Sequence, residues 1–304
     1  MTTLCEKNQL ARFWQFLSQN GYAFGVFWAI MISLTSAVND VFAKMLGERL
    51  HSLEVIFFRF LFSLISLIPF MMRQGGSEMF KTSFMKFHLI RGILGFAAMA
   101  CWSLSLVYLP LAEVSTLFLT TPLFFLPLAF ILLREHVTMQ RWIATLLGFI
   151  GILIIVQPTS GSMNYMAFIP LGGSVMFALM DVLNKKMVAT ESTLTLLFYF
   201  ALVTTVIGFG PMLAVWQTPT LKELVLLATV GIGANLIQVC IFKAFSATEA
   251  SALAPFRYVE LLFAASFGFV IFAEIPTKYT LLGGVFIIAA TFYISYFEGK
   301  RKKA

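Results

Sequence analysis

The residues able to do chemistry in this 304-residue chain are a few charged and amide side chains set inside long apolar runs. A charge at the centre of a bilayer costs about 2.5–3.5 kcal/mol on insertion scales, so each one needs a partner or a task. Arg257 and Glu260 stand three apart near the middle of one run, which puts them on one face of a helix. Arg257 can hold a carboxylate through a bidentate contact, and Glu260 can face the cationic end of the same solute. The alternative is a self-satisfied pair that fixes its helix against a neighbour. Arg59, five residues after Glu54, is either a cavity charge or an interfacial anchor whose head reaches back to water. Asp40/Lys44 and Asp181/Lys185 are spaced i,i+4. They can latch two gates, or they are interfacial ion pairs of little energetic weight.

Asn39, Asn235 and Gln238 can hydrogen-bond a polar solute, and can equally tie helices together at about 0.6 kcal/mol each. Trp102, Tyr108, Tyr199, Tyr258 and Phe58 offer ring faces to a cation, worth about 0.5–2 kcal/mol. With 34 Phe in the chain, most rings must be packing or interface belt, as Trp14, Trp142 and Trp216 near the run ends suggest. Glu113 and Glu249 precede apolar runs, where a carboxylate suits the positive end of a helix. Enzyme chemistry finds no footing. His51, His88 and His136 are isolated, and HExxH, Walker-type and GxSxG patterns are missing. Cys5, Cys101 and Cys240 are scattered and read as free thiols. Neither a metal nor a cofactor is expected.

The elements that must position these residues follow from composition. The chain is 60% hydrophobic and 12% charged, against about 45–50% and about 25% in a soluble domain. That excludes a soluble enzyme, a disordered chain and a disulfide scaffold. Ten apolar runs lie near 21–46, 54–72, 87–108, 112–133, 140–157, 165–187, 193–216, 221–245, 248–273 and 277–297. They are continuous rather than alternating, which argues against a barrel. An all-α, polytopic bundle of ten transmembrane helices is expected, since every backbone polar group inside lipid must be satisfied within its helix. The breaks carry turn signals such as Gly75-Gly76, Pro110, Pro158 to Ser162, Thr218-Pro219 and Pro276. The net charge of +7 is spread between runs and at the tails, which suits a lipid bilayer rather than nucleic acid. With residues 1–20 placed as an amphipathic cytoplasmic segment and 298–304 as a basic cytoplasmic tail, only Lys44, Arg49, Lys222 and Lys278 fall outside. That bias predicts both termini inside and an even number of helices. Gly21/Gly25 and the pairs Gly92/Gly95 and Gly148/Gly151 suit close approach within the bundle rather than a dimer face, so a monomer suffices.

The chain also repeats itself. Ser33, Ala37, Asp40, Val41 and Lys44 recur 141 residues later as Ser174, Ala178, Asp181, Val182 and Lys185. Leu123, Phe124, Phe130 and Glu135 recur 139 residues later as Leu262, Phe263, Phe269 and Glu274. Two units of five helices, 21–157 and 165–297, are expected. Five is odd, so the second enters from the opposite side as an inverted repeat, an architecture of secondary transporters.

These residues resemble the drug/metabolite transporter superfamily of EamA type, across nearly the whole chain. The resemblance is carried by the two Asp-x-x-x-Lys helix ends, by Arg59, by Pro122 thirteen residues before Glu135, and by Glu260 and Glu274. Leu261 replaces the proline usual in the second half, which moves the expected bend to Pro255. The segments LHSLEVIFFRFLFS (50–63), HLIRG (88–92), QRWIATLLGFIG (140–151) and APFRYVELLFAASFGFVIFAE (254–274) are similar to the superfamily's S-adenosylmethionine uptake branch from obligate intracellular bacteria. That implies an inner-membrane carrier importing S-adenosylmethionine, in exchange for S-adenosylhomocysteine. The site would draw on Arg257, Glu260, Asn235, Gln238, Trp102, Tyr258, Asn39 and Arg59, with Asp40, Lys44, Asp181 and Lys185 gating. Amino acids or another small metabolite remain the alternative cargo.

Overall fold

The computed structural model describes residues 21–46, 49–74, 80–108, 114, 117–156, 165–272 and 278–301. Among these residues every regular element is helical. Residues 1–20, Gly75-Gly76, Pro110, Glu113, Pro158 to Ser162, Glu274, Pro276 and the end of the basic tail lie outside the described residues, as does the side chain of Lys44.

We label the helices α1 (Gly21–Leu46), α2 (Ser52–Gln74), α3 (Met85–Tyr108), α4 (Thr121–Leu128, continuing as a π-turn over Ala129–Leu133), α5 (Met139–Val156), α6 (Phe168–Met187), α7 (Thr193–Leu213), α8 (Leu221–Ala247), α9 (Ala250–Phe272) and α10 (Lys278–Arg301). Local signals set several ends. The Ser192 side chain accepts from the Thr195 amide to start α7, and Thr220 with Glu223 forms a capping box on α8. Helices α1, α2, α6, α7, α8, α9 and α10 include stretches long and apolar enough to cross a membrane, while α4 and α5 are shorter apolar helices. Large apolar side chains such as Phe70, Met72, Ile131, Val206, Val270 and Phe292 are exposed. On a chain of this composition that exterior faces lipid, and the protein is a multi-pass membrane protein.

The packing joins helices from far apart in sequence. Helix α1 lies on α8 and α9, α3 on α6 and α7, α4 on α6, α2 on α7 and α8, and α5 on α10. Glycine makes the tightest crossing possible. A Cβ on Gly231 of α8 would stand 2.8 Å from both the Arg59 carbonyl oxygen and the Ser63 amide nitrogen of α2, main-chain atoms that cannot turn aside. A Cβ on Gly148 of α5 would strike the ring of Tyr258. Gly231→Ala should therefore separate α8 from α2 at a cost of about 1–3 kcal/mol. We expect it to lower the thermal unfolding midpoint of the detergent-purified protein, while Gly210→Ala, whose added carbon meets nothing within 4 Å, leaves the midpoint unchanged.

Candidate functional site

Two helices are interrupted, and the interruptions make the site. In α9 the chain tightens to a 3-10 turn over Ala254–Tyr258, at Pro255, before resuming at Val259. Ahead of α4 a turn at Leu119 and Thr120 separates Leu117-Phe118 from the helix that starts at Thr121-Pro122. A carbonyl has two lone pairs, so the Phe256 carbonyl, which accepts from the Val259 amide, and the Leu117 carbonyl, which accepts from the Thr120 amide, can each take a further donor. The hydroxyl of Ser33 on α1 donates to the Phe256 carbonyl (3.2 Å), and that of Ser174 on α6 donates to the Leu117 carbonyl (2.8 Å). The repeated serines thus bind the repeated breaks, each across to the other half of the chain.

A cavity lies beside the α9 break. Asp181, Arg257 and Glu260 line it together with Ser33, and Ala29, Ile32, Pro122, Phe125, Ile241, Phe245 and Leu253 supply the apolar wall. Arg257 is paired with Asp181 of α6. Its side chain keeps 39% accessibility against 3% for Asp181, because it faces the cavity. Glu260 lies within electrostatic reach of Arg257, Asp40 and Arg59. Three carboxylates and two guanidinium groups therefore share one region. With all five ionised, the cluster carries one net negative charge and complements a cation.

A second layer holds Asp181 in place. The Asn184 amide adjoins its carboxylate, and Arg91 of α3 donates to the Asn184 side-chain carbonyl (3.1 Å) and to the Leu196 main-chain carbonyl. Arg91 is 1% exposed and lies over the rings of Phe200 (5.2 Å) and Phe242 (5.7 Å). Beside it, His88 is fully buried on the Tyr199 ring at 4.6 Å, with neither ring nitrogen hydrogen-bonded.

One end of the bundle is closed by polar side chains. Glu135 accepts from the amides of Ala250 and Ser251 (2.9 Å each) and from the Ser251 hydroxyl (2.5 Å), so a carboxylate at the end of α4 caps the start of α9. Arg134 before it sits at φ 55°, after the π-turn. A left-handed non-glycine residue costs of order 1–3 kcal/mol, and here it turns Glu135 toward α9. Arg141 of α5, 1% exposed, donates to Glu298 of α10 (2.8 Å), Ser251 (2.7 Å) and Glu249. Lys185 donates to the Phe245 and Thr248 carbonyls and closes the end of α8. At the opposite end Arg49 pairs with Glu223.

Several expected roles change. Asp181 pairs with Arg257 rather than with Lys185, and Lys185 is a helix cap, because the end of α8 offers free carbonyls within its reach. Arg257 is held by Asp181 and not by Glu260. Glu249 stands at the N-cap of α9 without capping it, and binds Arg141 instead. Asn235 is occupied by Ser63 and Ser66 of α2, through bonds of 2.6–2.9 Å, so it joins helices. Tyr258 is fully buried against Ile152 and Ile287, and Trp102 packs on Phe118 at 4.9 Å; neither lines the cavity. Phe58 packs near Trp216, Tyr199 donates to the Phe80 carbonyl, and Tyr108 is exposed. Asn39 rests against Gly233, with its amide nitrogen unpaired, as is the Gln238 carbonyl oxygen. Sequence reasoning missed Arg91, Asn184, Phe125 and Phe245. Arg91 was hidden by its place in a basic segment, and the two phenylalanines by the abundance of that residue.

A multi-pass helical protein with broken helices around a charged internal cavity has the form of a small-molecule transporter. The EamA-like transporter family matches residues 23–157 and again residues 164–296, and the chain belongs to that family. It is 41% identical to the S-adenosylmethionine uptake transporter of Rickettsia bellii, over 92% of this chain and 96% of that one. It is 30% identical to a pseudopaline exporter of Pseudomonas aeruginosa, over 89% and 95%. A solved crystal structure shares the fold with a TM-score of 0.75 at 14% identity, covering 94% of this chain and 99% of that one.

Glu135→Ala leaves two main-chain amides and a hydroxyl without an acceptor, each worth about 1–3 kcal/mol when buried. Thermal unfolding in detergent should show a large loss for that variant. Asn235→Ala removes three bonds to α2 at about 0.6 kcal/mol each, so it should lose about 2 kcal/mol, less than Glu135→Ala.

Proposed function

We propose that this protein is a secondary carrier that takes up S-adenosylmethionine across the bacterial inner membrane by exchange with S-adenosylhomocysteine. It has no catalytic task and no cofactor in this reading. The observation that carries it is the Asp181–Arg257 pair opening into the cavity with Glu260 beside it. The amino-acid end of S-adenosylmethionine is a zwitterion. Its carboxylate exchanges for Asp181 on Arg257, and its ammonium group is taken by Asp181. The sulfonium then faces Glu260. The likeness to the Rickettsia bellii uptake transporter supports the same substrate.

Alternating access follows from an architecture of ten helices in two inverted five-helix repeats. Support comes from the reciprocal bonds of Ser33 and Ser174, from the pairing of α1 with α8 and α9 against that of α6 with α3 and α4, and from the family's matching two successive stretches. Tyr22 near the start of α1 lies in electrostatic reach of Glu298 near the end of α10, so the first and last helices meet at one membrane face. The lysine and arginine bias makes that face cytoplasmic. Lys44 and Lys185 then belong to opposite faces, where each ends the first helix of its half. The second reading, export or import of another metabolite, is favoured by the pseudopaline exporter among the relatives.

Purified protein in proteoliposomes should accumulate labelled S-adenosylmethionine faster when S-adenosylhomocysteine is inside. Unlabelled S-adenosylmethionine should block that uptake at concentrations where free amino acids do not; the reverse ranking overturns the substrate assignment. Arg257→Ala should lower uptake at low substrate by about thirtyfold or more, as expected from removing one partner of a buried charged contact.

A further inference from the structure

The cavity is two-sided. Its charged wall is described above, and its other lining residues include the rings of Phe125 on α4 and Phe245 on α8. These two rings are close to parallel, at 13°, with centroids 6.4 Å apart. Most other ring pairs in the described residues meet edge-on or tilted, as Phe60 and Phe200 do at 90°. One ring comes from each half of the chain. Phe125 stands four residues into α4, just beyond the break, and Phe245 stands two residues before α8 ends. Ala29, Ile32, Ile241 and Leu253 are further apolar lining of the same cavity.

We propose that Phe125 and Phe245 form the subsite for the planar base of the substrate, a purine held between a ring from each half. This deepens, and rests on, the reading of an adenosyl-bearing substrate. The charged wall takes the amino-acid end and the sulfonium, and neither contact reads the base. The ring pair supplies the missing discrimination, because stacking on an aromatic face is available to a base and not to an aliphatic side chain. Carbon atoms in contact sit about 3.5–4.0 Å apart, so a flat ring between two others needs about 7–8 Å. The pair, buried and 6.4 Å apart by centroid, must therefore open to admit the base. The end of α8 and the start of α4 are places where such an opening breaks few main-chain bonds. A base bridging the two rings links the halves when the site is full and releases them when it is empty.

The test uses displacement of labelled S-adenosylmethionine from the full-length detergent-purified protein, with adenosine and methionine as separate fragment competitors. Wild type should yield label to both. Phe125→Leu and Phe245→Leu should each bind S-adenosylmethionine about tenfold more weakly, within the range of one lost stacking contact. Each should also lose displacement by adenosine while keeping displacement by methionine. Phe125→Tyr and Phe245→Trp should retain wild-type behaviour, and thermal unfolding reports whether each variant is folded. Independently of any variant, 8-azido-S-adenosylmethionine photolabelling of wild type should modify the peptides around Phe125 or Phe245. Adenosine competing as well against folded leucine variants as against wild type overturns the subsite, as does photolabel confined to other helices. Wild type that binds no S-adenosylmethionine at all overturns the substrate reading instead.

Discussion

Everything in this protein is shaped by the penalty on a polar group that has no partner inside lipid. At the two breaks the hydroxyls of Ser33 and Ser174 add a further donor to a main-chain carbonyl from across the bundle. The start of α9 is capped by Glu135 and the end of α8 by Lys185, neither of them belonging to the helix it caps. Each of these contacts joins the first half of the chain to the second or one helix to a distant one. Satisfying the backbone and fastening the bundle are therefore the same act, and the repeated residues are the ones that perform it.

Stability alone does not explain the charges. A buried ion pair recovers its desolvation cost only with very good geometry, and apolar residues of similar volume often do as well or better. Asp181 and Arg257 nonetheless sit at the wall of a cavity, with Arg257 left accessible. Arg91 sits among rings and amides, hydrogen-bonded to a side-chain carbonyl and a main-chain carbonyl. It ties α3 to α6 and α7.

The two ends of the bundle differ. At one, Glu135, Arg141, Glu249, Ser251 and Glu298 form a continuous network around a nearly inaccessible arginine. Toward the other, Asp40 is exposed. The left-handed Arg134 ahead of Glu135 lies in the polar end.

Much was legible in the residue order. The continuous apolar runs required helices, because lipid leaves no other way to pair the backbone. Arg257 and Glu260 announced a polar interior, because charge in mid-membrane needs a reason. The bend at Pro255 was readable for the same local reason, since proline cannot continue a helix's hydrogen bonding. Partnership was not legible. Lys185 suited Asp181 by spacing, yet the tertiary structure gave Asp181 to Arg257 and Lys185 to carbonyls of α8. Asn235 suited a solute, yet α2 claimed it. Phe125 and Phe245 were two of many phenylalanines until the packing of α4 and α8 set their rings parallel beside a cavity. Composition and spacing determine what a segment must do by itself in lipid; which distant group meets it depends on helix crossings, and those are decided only when the whole bundle packs.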